Sequence, residues 1–180
     1  ISETPYKSNV ENYKKFQQSF CDEFCRITKP DGFIVICQTD RKMGGEIISN
    51  HITYHNQITE NNWKLKDYKL VVRNSVESKD QFRFNYQNCL IFTKTGKIAR
   101  KGEFMKNILT YEMKKSPVLD LFVWNPDFVE LMIKSLTKEK DKVIDCFSGS
   151  GIVPHTAKKM NRQYFGVEIN KKMYQHSLIH

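Results

Sequence analysis

The sequence predicts an α/β fold, with a mainly parallel sheet and an antiparallel strand or hairpin at one edge. Three observations lead there. The short continuous apolar run Phe33–Cys37 has the pattern of a strand buried on both faces, and Lys142–Phe147 reads as a second short buried strand. Segments with apolar residues three and four apart alternate with such runs, as helices packed on a sheet do. Two further runs, Lys69–Arg73 and Asn88–Thr93, lie close together near the middle of the chain.

The elements follow in order. Tyr13, Phe16, Phe20, Phe24 and Ile27 form an apolar stripe that predicts a helix over Asn12–Thr28. Lys29-Pro-Asp-Gly32 is a turn with Pro second and Gly fourth. The Phe33–Cys37 strand follows, and after Gly44-Gly45 a second helix is expected over Glu46–Gln57. The polar, glycine-free stretch Asn74–Gln87 separates the two middle strands. Asn125-Pro126 is a start signal for a helix over Phe128–Leu136. The chain shows no internal repeat and no low-complexity tract.

Composition narrows the class. One hundred and eighty residues suit one domain, 1–180, and 39% apolar residues with twelve phenylalanines describe a folded globule. No apolar run reaches the length of a membrane span, and no signal peptide is visible. Ile1 stands where a Met would begin a chain and enters mid-strand, so upstream residues are expected. Cys21, Cys25, Cys37, Cys89 and Cys146 are odd in number and form no CxxC pair, and Cys37, Cys89 and Cys146 sit in apolar strands. Reduced core thiols and an intracellular, cytoplasmic protein are the reading.

The formal charge of +9 favours a polyanionic partner. It is concentrated from Lys94 to Lys115, where seven basic residues stand against two acidic ones. Phe104, Ile108, Leu109 and Tyr111 lie between the charges. Such mixing suits an anchored segment that touches phosphates, with Lys97, Arg100, Lys101 and Lys106 as candidate nucleic-acid contacts. A solvated surface loop would read the same way in isolation.

The chemistry is concentrated at Asp145-Cys-Phe-Ser-Gly-Ser-Gly151. A buried strand runs into a turn, Ser148–Gly151, that only small residues make, and a helix then begins over Ile152–Met160. A second strand, Tyr164-Phe-Gly-Val-Glu-Ile169, ends in the single acid Glu168, seventeen residues after Gly151. Glycines let a ligand approach the backbone, and a carboxylate at that place accepts both hydroxyls of a ribose. There is no Gly-Lys-Ser/Thr ending for a triphosphate and no Gly-x-Gly-x-x-Gly for a dinucleotide. His51 and His55 lie four apart on a predicted helix, but with no acid or cysteine at ligand spacing they read as a partly exposed face. No metal is expected. Trp63 and Trp124 read as packing residues, with Trp124 near the ligand pocket.

Asp145 to Gly151 with Glu168 resembles the S-adenosylmethionine site of the DNA methyltransferases that modify adenine N6 or cytosine N4. Glu3-Thr4-Pro5-Tyr6 looks like a degenerate form of the family's Asp/Asn/Ser-Pro-Pro-Tyr/Phe motif. Arg26 to Gly32, Asp40, Gly44 and Leu90-Ile-Phe-Thr-Lys94 are also similar to it, and Asn125-Pro126 is similar to its His-Pro pair. The catalytic segment precedes the donor segment, as in the circularly permuted beta class.

The resemblance implies a Rossmann-like, S-adenosylmethionine-dependent methyltransferase fold. It implies a catalytic half over 1–93, a basic insertion or target-recognition segment over 94–124, and a methyl-donor half over 125–180. The donor site would comprise Asp145, Phe147, Ser148, Gly149, Ser150, Gly151, Glu168 and Asn125. Glu3 and the Thr4 carbonyl would accept the N–H groups of a flipped amine, Tyr6 would stack on the base, and Pro5 would hold the turn. The acidic Glu3 favours adenine over cytosine. Double-stranded DNA is the implied partner, with a homodimer or partner subunit also open.

Two departures matter. Glu3 is one methylene longer than Asp, and Thr4 replaces a proline, and misplacement by about an ångström costs on the order of a hundredfold in rate. The competing reading is therefore a subunit that binds nucleic acid and needs an active partner. A third is methylation of RNA or of a protein amide. Ile152-Val153 stands where the family has threonines, and Asn170 reads as a helix cap before Lys171.

Overall fold

The computed structural model describes residues 10–43, 45–73, 84–97, 106–112, 114–115 and 122–178. The chain divides into two compact units, Ile1–Lys97 with Phe104–Thr110 and Ile98–Glu103 with Tyr111–His180.

The first unit opens with helix α1, Val10–Ile27, which carries Glu11 in its first turn and Arg26 in its last, matching the helix dipole. Its buried seam is Tyr13, Gln17, Cys21 and Cys25, four residues apart. The aromatic stripe expected from the sequence shares Tyr13 with this seam. Phe16 and Ile27 are 36% and 42% exposed, and Phe20 and Phe24 flank the core. Small cysteines on the seam let α1 approach helix α2, Asn50–Glu60, where Cys21 Sγ meets Gln57 Oε1 at 3.6 Å. Burial pushes the Cys21 thiol to about 12 and the Cys25 thiol to about 11, so both stay protonated in the core.

The main sheet contains β1 (Ile34–Gln38), β4 (Lys64–Arg73), β5 (Tyr86–Thr93) and β6 (Ile108–Tyr111), in the order β1-β5-β4-β6. Strand β5 is antiparallel to both β1 and β4, so those two run the same way. The expected hairpin is β4 with β5, longer than the runs read from sequence. Its antiparallel member lies between two strands that share a direction. The core under this sheet joins Ile34, Ile36, Leu90 and Phe92 to Tyr54, Ile58 and Trp63. Burying each such side chain stabilises by about 1.5–3 kcal/mol. The buried Lys69 ammonium is held by Asp67 at 2.7 Å and by Asn107 Oδ1 at 3.0 Å.

One expectation fails here. Glu46–Ile48 is not the start of a helix but strand β3, paired with β2, Arg41–Met43. Gly45 takes φ +86°, the left-handed turn a hairpin needs, and the β-branched Ile47 and Ile48 extend from it. Helix α2 begins only after Ser49.

In the second unit, strands β7 (Lys114–Lys115) and β8 (Phe122–Val123) pair antiparallel. Helix α3, Pro126–Leu136, starts with Pro at its first position, and Asn125 caps it by accepting from Asp127 N at 2.9 Å. Trp124 stacks on Phe128 at 5.0 Å, a packing role as expected. Strands β9 (Lys142–Asp145) and β10 (Gln163–Gly166) are parallel and joined by helix α4, Ile152–Lys159, which packs on both. Arg162 ties the ends together, with Nε to Thr137 Oγ1, Nη2 to Thr137 O and Nη1 to Met160 O. Helix α5, Lys171–Ser177, is capped by Asn170, which accepts from Lys172 N and Met173 N.

Among the described residues, no helix is long and apolar enough to cross a membrane.

Candidate functional site

The site is built where β9 ends. Strand β9 stops at Asp145, and Cys146 lies in the turn beyond it, not in a strand as its apolar neighbours suggested. Asp145 Oδ1 accepts the Phe147 N–H at 3.0 Å, closing an Asx-type turn. The Ser148 N–H and hydroxyl both donate to Val167 O, at 2.9 and 3.2 Å, which fastens this turn to the end of β10. Gly151 N then donates to Ser148 O at 2.7 Å.

Two glycines make this path possible. Gly149 has φ +52° and Gly151 φ +84°, the region other residues avoid. A Cβ on Gly151 would lie 2.7 Å from Ser177 Cβ. Small residues therefore let the turn pass close to α5 and His155, with Ser148 and Gly151 buried and Gly149 and Ser150 half-buried.

Glu168 completes the arrangement. Its Oε2 accepts the Gly149 N–H at 2.9 Å, and its Oε1 accepts the Asn170 N–H at 2.7 Å. Each oxygen keeps a second lone pair, so a carboxylate so oriented still accepts two hydroxyls. Burial is the largest influence on Asp145 and raises its carboxyl above the ordinary range. The Phe147 N–H works against this, and the Glu168 charge adds to it. A cation placed beside Asp145 would relieve that cost.

The surroundings supply apolar surface. Phe147 is 58% exposed and Ile169 is 86% exposed, flanking the turn and the acid respectively. Ile169 was not singled out from the sequence, although an apolar residue directly after the acid was the available signal. A flat ring held by Glu168 through its ribose would cover it. The chemistry fits a nucleoside carrying a positive charge: a diol acceptor, a partly buried acid, a glycine turn and exposed apolar side chains.

A groove of about 330 Å³ lies elsewhere on this unit, along Lys142, Val143, Ile144, Gln163, Tyr164 and Phe165. It shares no residue with the turn and offers no carboxylate.

The structure brings together Asp145, Phe147, Ser148, Gly149, Ser150, Gly151 and Glu168. Asn125 is occupied as a cap, and its Nδ2 donates to Glu112 O at 3.2 Å. Glu3, Thr4, Pro5 and Tyr6 lie outside the described residues, as do Arg100 and Lys101. Lys97 and Lys106 are described and exposed.

His51 has a neighbour that its sequence surroundings did not show. Its Nδ1 lies 2.8 Å from Asp40, whose Oδ1 also accepts the His51 N–H at 3.3 Å. The pair fastens the start of α2 to the end of β1. Among the described residues, no group of three possible metal ligands is present.

Comparison with known proteins finds relatives of part of the chain and of its fold. Residues 123–178 match the family of DNA methylases. No curated protein sequence matches the chain. Its fold is similar to that of the cytosine-N4-specific PvuII DNA methyltransferase, with a TM-score of 0.81 and 20% identity over 93% of this chain and 70% of that one. M1.HpyAVI is similar with a TM-score of 0.69 and 21% identity, over 89% of this chain and 80% of that one. Its complex with SAM gives 0.70 and 22%, over 90% and 81%. At these identities the structures share the fold, a Rossmann-like methyltransferase fold. The family match falls on the segment that carries the glycine turn and Glu168.

Proposed function

We propose that this chain is a DNA amino-methyltransferase that methylates the exocyclic amine of a base flipped from the duplex, adenine N6 in preference to cytosine N4. The observation that carries the proposal is the Glu168 carboxylate, held between the Gly149 and Asn170 amides beside a turn with two left-handed glycines. S-adenosylmethionine, when bound, supplies a methyl group activated on a sulfonium.

The chain's own residues do the rest. Glu168 accepts the ribose hydroxyls, and the Phe147 to Gly151 turn cradles the methionine end. Asp145 offers its carboxylate to the positive charge. Ile169 gives the adenine ring an apolar surface. By position in the family motif, Glu3 and the Thr4 carbonyl accept the two amine N–H groups, which shifts electron density onto nitrogen. Tyr6 stacks on the flipped base and Pro5 fixes the turn. The exposed Lys97 and Lys106, with Arg100 and Lys101, contact DNA phosphates. In this reading 1–180 is one methyltransferase domain, with its catalytic half over 1–93 and its donor half over 125–180.

The test is transfer of a tritiated methyl group to unmethylated, mixed-sequence duplex DNA, followed by nucleoside analysis, with RNA and protein as parallel acceptors. Label in N6-methyladenine, lost in Glu3→Ala, is expected. Label in N4-methylcytosine would overturn the base preference, and label only in RNA or protein would overturn the DNA assignment. The departures at Glu3 and Thr4 favour a second reading, a subunit that binds the donor and transfers only with a partner. It is distinguished by donor binding without transfer until that partner is added.

A further inference from the structure

Cys37 and Cys89 are direct partners across the antiparallel pair of β1 and β5. The Cys37 thiol donates to the Cys89 sulfur at 2.9 Å. Facing residues in such a pair hold their Cα atoms about 4.5–5.5 Å apart. That lies within the span of about 4.4–6.8 Å that a disulfide requires. The sulfurs therefore need to close by only about 0.9 Å, without movement of either strand. The other three thiols differ in place. Cys21 and Cys25 are buried in the core on α1, and Cys146 lies in the turn after β9.

We propose that Cys37 and Cys89 are a redox-responsive pair, closed by a two-electron oxidant of the peroxide class into a disulfide that clasps β1 to β5. Both thiols are shielded from solvent, with Cys37 in the less buried residue, so the oxidant must be small and Cys37 is attacked first. Its thiolate attacks one peroxide oxygen and becomes a sulfenic acid, and the other oxygen leaves as water after taking up a proton. The Cys89 sulfur then displaces the sulfenic oxygen, which leaves as the second water with the Cys89 proton. One S–S bond replaces two S–H bonds, and the two electrons reside in the two waters.

The hydrogen bond to Cys89 and burial both hold the Cys37 thiol well above its ordinary range. The pair is thus quiet in a reducing compartment, and its oxidation quickens as pH rises.

The position gives the clasp a consequence beyond methyl transfer. The next facing pair is Gln38 with Asn88, and Asn88 Oδ1 takes the Tyr68 hydroxyl at 2.5 Å. Three residues past Cys37 is Asp40, which holds His51 at the start of α2. A bond at Cys37 fixes the strand end from which these contacts are made.

The experiment treats the full, reduced chain with hydrogen peroxide, blocks free thiols by alkylation, and maps the cysteines by mass spectrometry. Free thiols are expected to fall from five to three per chain, with one linked peptide pair joining Cys37 and Cys89. A dithiol reductant should restore all five. The oxidised chain should melt several degrees higher, and the gain should vanish in Cys37→Ser. Retention of five thiols, linkage through another cysteine, or arrest at a Cys37 sulfinic acid would overturn the proposal. An unchanged melting temperature in the linked form would overturn the clasp. Peptide mapping of the unmodified chain decides the pairing even if Cys37→Ser fails to fold.

Discussion

The Glu168 carboxylate accepts the Gly149 N–H at 2.9 Å, joining the end of β10 to the glycine turn that follows β9. With its second bond, to Asn170 N, the acid is fixed in orientation before any ligand arrives. A preorganised carboxylate of this kind loses little freedom when it accepts a ribose diol.

Removal of that acid should therefore be costly to binding. Glu168→Gln keeps the size but replaces one acceptor oxygen with an amide donor that faces an N–H. Each hydrogen bond to a charged group contributes about 1.5–3 kcal/mol, so S-adenosylmethionine affinity should fall roughly 10- to 100-fold. Calorimetric titration of the variant checks this, and unchanged affinity would exclude Glu168 from the site.

Gly151→Ala should damage the fold as well as the site. The residue has φ +84°, and the new Cβ would lie 2.7 Å from Ser177 Cβ. Backbone strain of this sort costs about 1–3 kcal/mol before the contact with α5 is counted. A lowered urea midpoint with unchanged slope is the expected result.

Asp145 should make donor binding depend on pH. Its folded carboxyl is raised, chiefly by burial, so it holds its proton to a higher pH than an ordinary carboxyl does. Its contribution to folding stability is present below the ordinary carboxylate value and is lost as pH rises through the raised folded value. A cationic donor favours the ionised form, so affinity should increase with pH over that window and binding should release a proton. Binding enthalpies measured in buffers of different ionisation heat report the release, and Asp145→Asn should abolish it.

Asn125→Ala should act on stability first. The side chain caps α3 through Asp127 N and also bonds Glu112 O, so its loss should cost about 1 kcal/mol or somewhat more. A change in donor affinity of no more than a few-fold is expected, because both ends of the amide are already engaged with the backbone. Thermal unfolding and calorimetry on one preparation separate the two effects.

The turn after β9 was legible because its requirements are local. Left-handed turns need glycine, Pro126 and Asn125 announce a helix, and Glu168 lies just past a short strand next to that turn. The contacts made at a distance were not legible. Asp40 and His51 are eleven residues apart and meet only because β2 and β3 form a hairpin, which the same Gly44-Gly45 break and two isoleucines allow or forbid equally in sequence terms. Periodicity placed α1 with Tyr13, Phe20 and Phe24 at the core, but it counted the exposed Phe16 and Ile27 in and missed Gln17, Cys21 and Cys25, whose smaller side chains permit closer packing. The pairing of Cys37 with Cys89 depends on strand register, which only the assembled sheet fixes.

The most direct test of the account is calorimetric titration of the unmodified chain with S-adenosylmethionine. The account predicts saturable binding at one site per chain, abolished in Glu168→Ala that remains folded. Absence of saturable binding to a folded chain, or binding that survives Glu168→Ala undiminished, would contradict the assignment of the glycine turn and Glu168 as the donor site.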